Sequence, residues 1–342
     1  MKENHNITFN GRTFKTSLHK DLTDEQWKDV IAWLQRKPTF DEVKQNLKKL
    51  KNGGLQMTEV TNYFFKDLMQ KVRNGQDAFC IADSFECKEI IEYFAAKAAV
   101  NEKVFPPKYG LCDNIESAMR LCGIRCCRKP SQFPLKTVRE ILDEFLPNGG
   151  AWYDPCMGWG ARMIGAWQHK DVTYFGTDTN EELWNRLVDL AMSLGPISDE
   201  QFHFVIRNAS AVDLQKDWVG QVDLCFTSPP YFNAEYYEGE NTSCTPETSY
   251  EEWKDNFLKP VFRNCYQYLK NGGVMAWNIK DIFTDKVWWP LVDDSIKAAE
   301  LAGFKYEGDR TLKNIKRMHG HTNGAKGMNP NADERILIFR KL

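Results

Sequence analysis

The residues of this chain best suited to chemistry are Thr227-Ser228-Pro229-Pro230-Tyr231, which close the apolar run Asp223-Leu224-Cys225-Phe226. The run reads as a short buried strand, and two successive prolines must stop it, because they fix φ and supply no backbone donor. A stiff polar corner at a strand end leaves the Ser228 hydroxyl and the Pro229 carbonyl as acceptors, with Tyr231 beside them as a flat aromatic wall. Two acceptors and a stacking face suit an exocyclic amino group on a planar ring. Taken alone, the tetrapeptide fits a proline-terminated strand with a surface tyrosine equally well. A second motif upstream gives it weight.

That motif is Asp154-Pro155-Cys156-Met157-Gly158-Trp159-Gly160, a glycine-rich turn between a predicted strand and a predicted helix. Such a turn lies where an open sheet binds nucleotide-like ligands, and its glycines let a ligand approach the backbone without interference from a Cβ. The third glycine of a dinucleotide-binding turn is missing. Asp178 closes the next predicted strand, roughly 20 residues on, where a carboxylate can accept hydrogen bonds from both hydroxyls of a ribose. Glycine turn, acid and Ser-Pro-Pro-Tyr corner, each at the end of a different strand, are specific together in a way that none is singly.

The elements that must hold these turns are legible in the pattern. From about residue 126 predicted strands alternate with predicted helices, which argues for a parallel sheet covered on both faces. Two closing strands, from Phe304 and from Arg335, are expected to pair antiparallel at one edge. Residues 1–125 read as mostly helical. Thr23 with Gln26 resembles a capping box, and Thr39 restarts a second helix carrying Val43, Leu47 and Leu50 at helical spacing, closed by Gly53-Gly54. Lys44, Lys48, Lys49 and Lys51 on that helix fit either a solvated face or a phosphate-contacting one. Pro106-Pro107 marks a linker, so a helical extension (1–125) and a second unit (126–342) are expected.

Composition narrows the class. At 342 residues the chain can bury a substantial core. No run of 18 apolar residues occurs and the amino terminus lacks the apolar stretch of a secretory signal, so a cytoplasmic protein with no membrane partner is expected. Lys and Arg number 45 against 47 Asp and Glu, a formal charge of -2, so any attraction to nucleic acid must come from local patches. The ten cysteines are scattered; Cys112, Cys122, Cys126 and Cys127 cluster without the paired spacing of a zinc site, and no metal is expected.

These motifs resemble the S-adenosylmethionine-dependent DNA amino-methyltransferases, which modify N4 of cytosine or N6 of adenine. Ser228-Pro229-Pro230-Tyr231 matches the family's catalytic turn, and Asp154, Pro155, Gly158 and Gly160 match its cofactor turn, with Ala161-Arg162 in place of the usual threonines. Lys129-Pro130-Ser131-Gln132-Phe133-Pro134 looks like the segment that precedes the cofactor turn in many members. The resemblance covers roughly residues 128–341. It implies a doubly wound α/β fold, a mostly parallel seven-stranded Rossmann-like methyltransferase sheet with an antiparallel edge strand.

The resemblance further implies S-adenosyl-L-methionine as cofactor, with Ser131 and Phe133 at its methionine end, Asp178 on the ribose, and Asn208-Ala209 beside the adenine. DNA is the implied partner. A second copy of the chain and a cognate restriction endonuclease are candidate further partners. Serine at the head of the catalytic turn leans toward N4-cytosine; N6-adenine is the alternative, then an inactive DNA-binding module, or an RNA or protein methyltransferase with a related turn. Little chain lies between Asp213 and Asp223, so target recognition must sit elsewhere. The candidates are the helical extension, the loop 233–250, and the loop 310–331 with Arg310, Lys313, Lys316, Arg317 and Lys326, a composition fit for gripping phosphates. His319 and His321 in that loop lack a nearby carboxylate or cysteine to share a metal.

Overall fold

Seven strands form one sheet in the computed structural model, which describes residues 5–9, 12–74, 80–101, 110–122, 130–197, 202–236, 242–311 and 333–342. They are β1 (Gly150–Asp154), β2 (Val172–Asp178), β3 (His203–Asn208), β4 (Val222–Thr227), β5 (Leu269–Ile279), β6 (Phe304–Thr311) and β7 (Arg335–Lys341). Their spatial order is β6-β7-β5-β4-β1-β2-β3. The β1–β5 pairings are parallel, while β7 inserts between β5 and the edge strand β6 and runs antiparallel to both. The helices of this unit are α1 (Phe40–Lys51), α2 (Thr58–Phe64), α3 (Leu135–Phe145), α4 (Ala161–Gln168), α5 (Glu181–Leu194), α6 (Lys259–Tyr268) and α7 (Leu291–Ala302).

Alternate side chains of a strand face opposite sides, and both sides here are apolar, as a parallel sheet wrapped by helices requires. On one side Tyr153, Cys225, Met275, Trp277, Leu337 and Phe339 share a core with Val261, Phe262 and Cys265 of α6 and Leu291 of α7. On the other, Trp152, Leu224, Phe226 and Val274 are buried as well. Register at the amino ends of the central strands is pinned by Asp223. One carboxylate oxygen accepts from the Ala151 backbone N–H (2.9 Å) and the other from Lys270 Nζ (2.8 Å).

Contacts divide the chain into two units, Met1–Pro38 with Lys66–Ser131, and Thr39–Phe65 with Gln132–Leu342. Residues 39–65, which the sequence alone places in the extension 1–125, therefore pack with the sheet. The reason lies at the end of α1, whose last carbonyls have no helical partner. Gln168 Nε2 donates to Leu50 O (2.6 Å) and Gly54 O (2.8 Å), and Arg139 Nη2 donates to Gly53 O (3.2 Å). At the other end Thr39 forms a full capping box with Glu42.

The first unit is mainly helical. Its helices Asp24–Gln35, Lys88–Val100 and Leu111–Cys122 bury Val30, Leu34, Ile90, Ile91, Phe94, Ile115 and Met119 together. The expected capping box of Thr23 and Gln26 is present. The carbonyls at the far end of that helix are taken by Lys66 Nζ, on Arg36 O at 3.0 Å, and by Gln70 Nε2, on Leu34 O at 2.7 Å. A hairpin of His5–Phe9 and Arg12–Thr16 precedes the helices, where helical expectation alone had none. No described helix is long and apolar enough to cross a membrane.

α3 and α4 meet where Gly165 faces Val138: a Cβ built on Gly165 would stand 2.9 Å from Val138 Cβ and closer still to its Cγ1. Alanine gains about 1 kcal/mol over glycine inside a helix, but overpacking costs about 1–3 kcal/mol, so contact decides the sign. Gly165→Ala should lower the urea midpoint, and adding Val138→Ala should restore part of the loss.

Candidate active site

β1 to β4 run in parallel and end together, so Asp154, Asp178, Asn208 and Thr227 emerge along one edge of the sheet, with the carboxyl end of β5 beside β4. The chain builds outward from β1 through β2 to β3, then returns to lay β4 on the other side of β1. A crevice opens at such a reversal, and open α/β sheets hold their ligands there.

Asp154 lies at the centre of this edge and is fully buried. Its Oδ2 accepts from Arg162 Nε of α4 (2.8 Å) and from the Tyr174 hydroxyl of β2 (2.8 Å), and its Oδ1 accepts from Thr227 Oγ1 at the end of β4 (2.8 Å). Asp154, expected to touch a cofactor, therefore has both oxygens occupied by the protein and acts on the site through the elements it ties together. Burial alone would lower the Arg162 guanidinium, but the adjacent carboxylate outweighs it and holds the group above its ordinary value. Burial, reinforced by Asp154, pushes the Tyr174 phenol well above its usual range.

The glycine turn is built on this base. Arg162 Nη2 donates to Cys156 O, Thr177 Oγ1 donates to Pro155 O (2.8 Å), and the Met157 N–H donates to Thr177 O (3.2 Å). Gly158 and Gly160 have φ of 55° and 77°, the left-handed region open to glycine at least strain. Their neighbourhoods differ. A Cβ on Gly160 would stand 3.0 Å from Leu190, so that glycine serves packing, whereas a Cβ on Gly158 would meet nothing nearer than 3.9 Å, so open space lies beside it. Asp178 faces the same turn: Oδ2 accepts from the Gly158 N–H (3.3 Å) and Oδ1 from the Asn180 N–H (3.1 Å). Each oxygen keeps a lone pair for a further donor. Burial raises this carboxyl to about 6, against the pull of the two N–H groups.

At the end of β4 the strand stops at Thr227, two residues before the double proline. Ser228 is half-buried and makes no hydrogen bond among the described residues, so its hydroxyl is available. Pro229 is buried, and Tyr231 is half-buried with its hydroxyl accepting from Asn278 Nδ2 of β5 at 2.6 Å. Phe232, the next residue, lies in the core, ringed by Tyr250, Trp253 and Trp289 at 5.1–5.9 Å. Its φ of 44° is strained for a side chain of that size and turns the chain sharply away from Tyr231.

The other expected residues fall as follows. Phe133 packs edge-on against Phe226 (5.6 Å) and lies over the Arg162 guanidinium (5.4 Å), next to the glycine turn. Asn208 and Ala209 donate their side-chain amide (3.0 Å) and backbone N–H (3.1 Å) to Asp178 O, at the ends of β2 and β3. Ser131 is exposed and is the last residue of the first unit. Arg310, expected to meet phosphate, is paired with Glu144 at 2.6 Å. Lys313, Lys316, Arg317, Lys326, His319 and His321 lie outside the described residues, as do Cys126 and Cys127. Among the described residues, His19, Asp21 and Glu92 of the first unit lie close enough to share a cation, but His19 Nε2 is already paired with Asp21 at 2.9 Å.

Reasoning from sequence missed Tyr174, Thr177 and Thr227, whose hydroxyls knit the turns, and Gln132, whose Nε2 donates to Trp159 O at 3.1 Å. It also missed the hairpin Ile282–Thr284 and Val287–Trp289, which follows β5 and is tied to Asn233 through Thr284 Oγ1 at 2.7 Å. Its turn, Asp285-Lys286, takes positive φ at both residues without the glycine that announces such turns.

Asp154→Ala would strand a buried guanidinium, and breaking a buried pair costs about 3–5 kcal/mol. The variant should lose that much in urea-induced unfolding, and Asp154→Ala with Arg162→Met should recover part of it.

No curated protein matches the chain. Among solved structures, similar ones include geranyl diphosphate methyltransferase in complex with SAM (13% identity, TM-score 0.43, covering 61% of this chain and 85% of that one). TrmN from Thermus thermophilus is similar at 15% identity and TM-score 0.40, over 61% of this chain and 49% of that one. The cyclase SpnF is similar at 12% identity and TM-score 0.42, over 60% and 80%. At these values they say nothing about activity. A family model described as DNA methylase matches residues 222–341, from the first residue of β4, through the Ser-Pro-Pro-Tyr corner, into β7. Over residues 222–341 the chain is similar to the DNA methylase family.

Proposed function

We propose that this protein is an S-adenosylmethionine-dependent DNA methyltransferase that modifies the exocyclic amino group of a flipped-out base, N4 of cytosine. The observation that carries this is the convergence of an unoccupied Ser228 hydroxyl, a half-buried Tyr231 and a glycine turn backed by a carboxylate along one sheet edge. The residues present fit the cofactor. Asp178 retains lone pairs for a ribose diol, Gly158 leaves room beside the backbone, and Phe133 offers an apolar face next to Arg162. Bound there, the cofactor supplies an electrophilic methyl group on a sulfonium.

The chain's own residues then have a defined task. An exocyclic amine is a poor nucleophile because its lone pair is delocalised into the ring. Ser228 Oγ and the Pro229 carbonyl would accept its two hydrogens, favouring a pyramidal nitrogen whose lone pair is free to attack. As the N–C bond formed, the S–CH3 bond would break with its electron pair left on sulfur, and the surplus proton of the nitrogen, held toward Ser228 Oγ, would pass to water. Tyr231 gives the extruded base a stacking surface in place of its lost neighbours, worth about 1–3 kcal/mol. Holding the two reactants in line supplies most of the acceleration. The serine that heads the turn favours cytosine over adenine.

Incubation with labelled methyl donor and unmethylated DNA, followed by digestion to nucleosides, should put the label on N4-methylcytidine. Label on N6-methyladenosine corrects the base, and unlabelled DNA overturns the function. Ser228→Ala should lower kcat about 100-fold, the scale of one lost transition-state hydrogen bond, with little change in donor affinity.

The donor's affinity should depend on pH through Asp178. The carboxylate is the accepting form; above pH 7 the group is ionised, and as pH falls through about 6 it takes a proton and loses acceptor strength. Calorimetry should find binding weakening below pH 6, by up to roughly tenfold per unit, and Asp178→Asn should bind weakly with no such dependence.

A further inference from the structure

The amide of Asn278 is 1% exposed, at the carboxyl end of β5, and one of its two polar ends holds the Tyr231 hydroxyl at 2.6 Å. The other end, Oδ1, is buried without a partner among the described residues. Turning the amide over would only exchange which end is orphaned. A buried polar atom left unpaired destabilises the fold, and an unbranched or branched apolar side chain of the same size would fill this place without that defect. Stability therefore does not account for an asparagine here. What the amide does achieve is to hold a phenol.

The geometry of that hold is favourable. Phe226 is level with Ala276 and Thr227 with Trp277 across β4 and β5, and continuing this register by one residue sets Ser228 level with Asn278. On its other side Asn278 is paired with Ile336 of β7, so its backbone is fixed between two strands. Tyr231 packs against the sheet core. With one end of the ring in that packing and its hydroxyl on a fixed amide, neither torsion of the side chain is free. Phe232, next in the chain, is locked in the core and prevents the corner from sliding.

We infer that Asn278 is a positioning residue that sets the plane of the Tyr231 ring before DNA arrives, so that an entering base stacks with its amino group already directed at Ser228. This rests on the function proposed above. Two substitutions remove the same hydrogen bond from opposite sides: Tyr231→Phe keeps the stacking face, and Asn278→Leu fills the volume without an orphaned atom.

With unmethylated plasmid DNA as substrate, each variant should lose about three- to tenfold in kcat, the scale of one hydrogen bond, with donor affinity unchanged and Asn278→Leu at least as stable as the parent. The double variant should be no worse than the single ones, because both remove one interaction. A second measurement does not depend on activity. In protein carrying 3-fluorotyrosine, the Tyr231 fluorine resonance, assigned by its absence from Tyr231→Phe, should shift or broaden in Asn278→Leu. Additive kinetic losses, wild-type kcat in Asn278→Leu, or an unchanged resonance overturns the inference. Failure of the wild-type protein to methylate DNA, with the resonance altered, overturns the proposed function and leaves the anchoring of Tyr231 standing.

Discussion

One buried ion pair holds the working edge of this protein together. Asp154 and Arg162 are 0% and 5% exposed, and the carboxylate that joins them also takes hydroxyls from Tyr174 and Thr227. Through these contacts β1, β2, β4 and α4 meet at one group. Two charges are expensive to bury, and here they offset that cost through their own pairing and the further hydrogen bonds that each makes. Its consequence is positional. Thr227 immediately precedes Ser228, and Arg162 supports the Cys156 carbonyl of the glycine turn, so the relative placement of the two turns is fixed through a single carboxylate.

The two acids of the edge thus divide the labour. Asp154 takes three protein donors and is 0% exposed, while Asp178 accepts only two backbone N–H groups and keeps capacity for a ligand. The same burial that raises Asp178 to about 6 makes it responsive near neutral pH, whereas Asp154 is bound to the Arg162 guanidinium at 2.8 Å. Position along the chain does not distinguish these roles. Each acid ends a strand, and each stands next to the glycine turn.

Around the second turn the structure relies on aromatic packing. Phe232, Tyr250, Trp253 and Trp289 interlock, and Trp289 belongs to the hairpin that follows β5. Trp289 Nε1 donates to Thr284 (2.8 Å), which in turn holds Asn233 (2.7 Å), so the hairpin buttresses the residues just after the Ser-Pro-Pro-Tyr corner. The positive φ of Phe232 is maintained by this cluster, an instance of local strain over-determined by its surroundings. The corner that carries Ser228 and Tyr231 is therefore braced from β1 on one side and from the hairpin on the other.

The sequence by itself determined the alternation of strands and helices, the strand-ending turns, the capping of Thr23 and Thr39, and the choice of Ser228, Asp178 and the glycines as candidates. These are short-range properties: two prolines stop a strand, glycine admits positive φ, and hydrophobic period follows secondary structure wherever the residue sits. Only the tertiary structure decided that Asp154 faces inward to Arg162, that Phe232 is core while Tyr231 is half-exposed, that residues 39–65 pack with the sheet, and that Asn278 meets the phenol. Each of these depends on which of two neighbouring groups first finds a partner from a distant part of the chain. Arg162 lies 8 residues from its acid, but Thr227 lies 73 residues from it and Asn278 47 from Tyr231, separations at which no local pattern carries information.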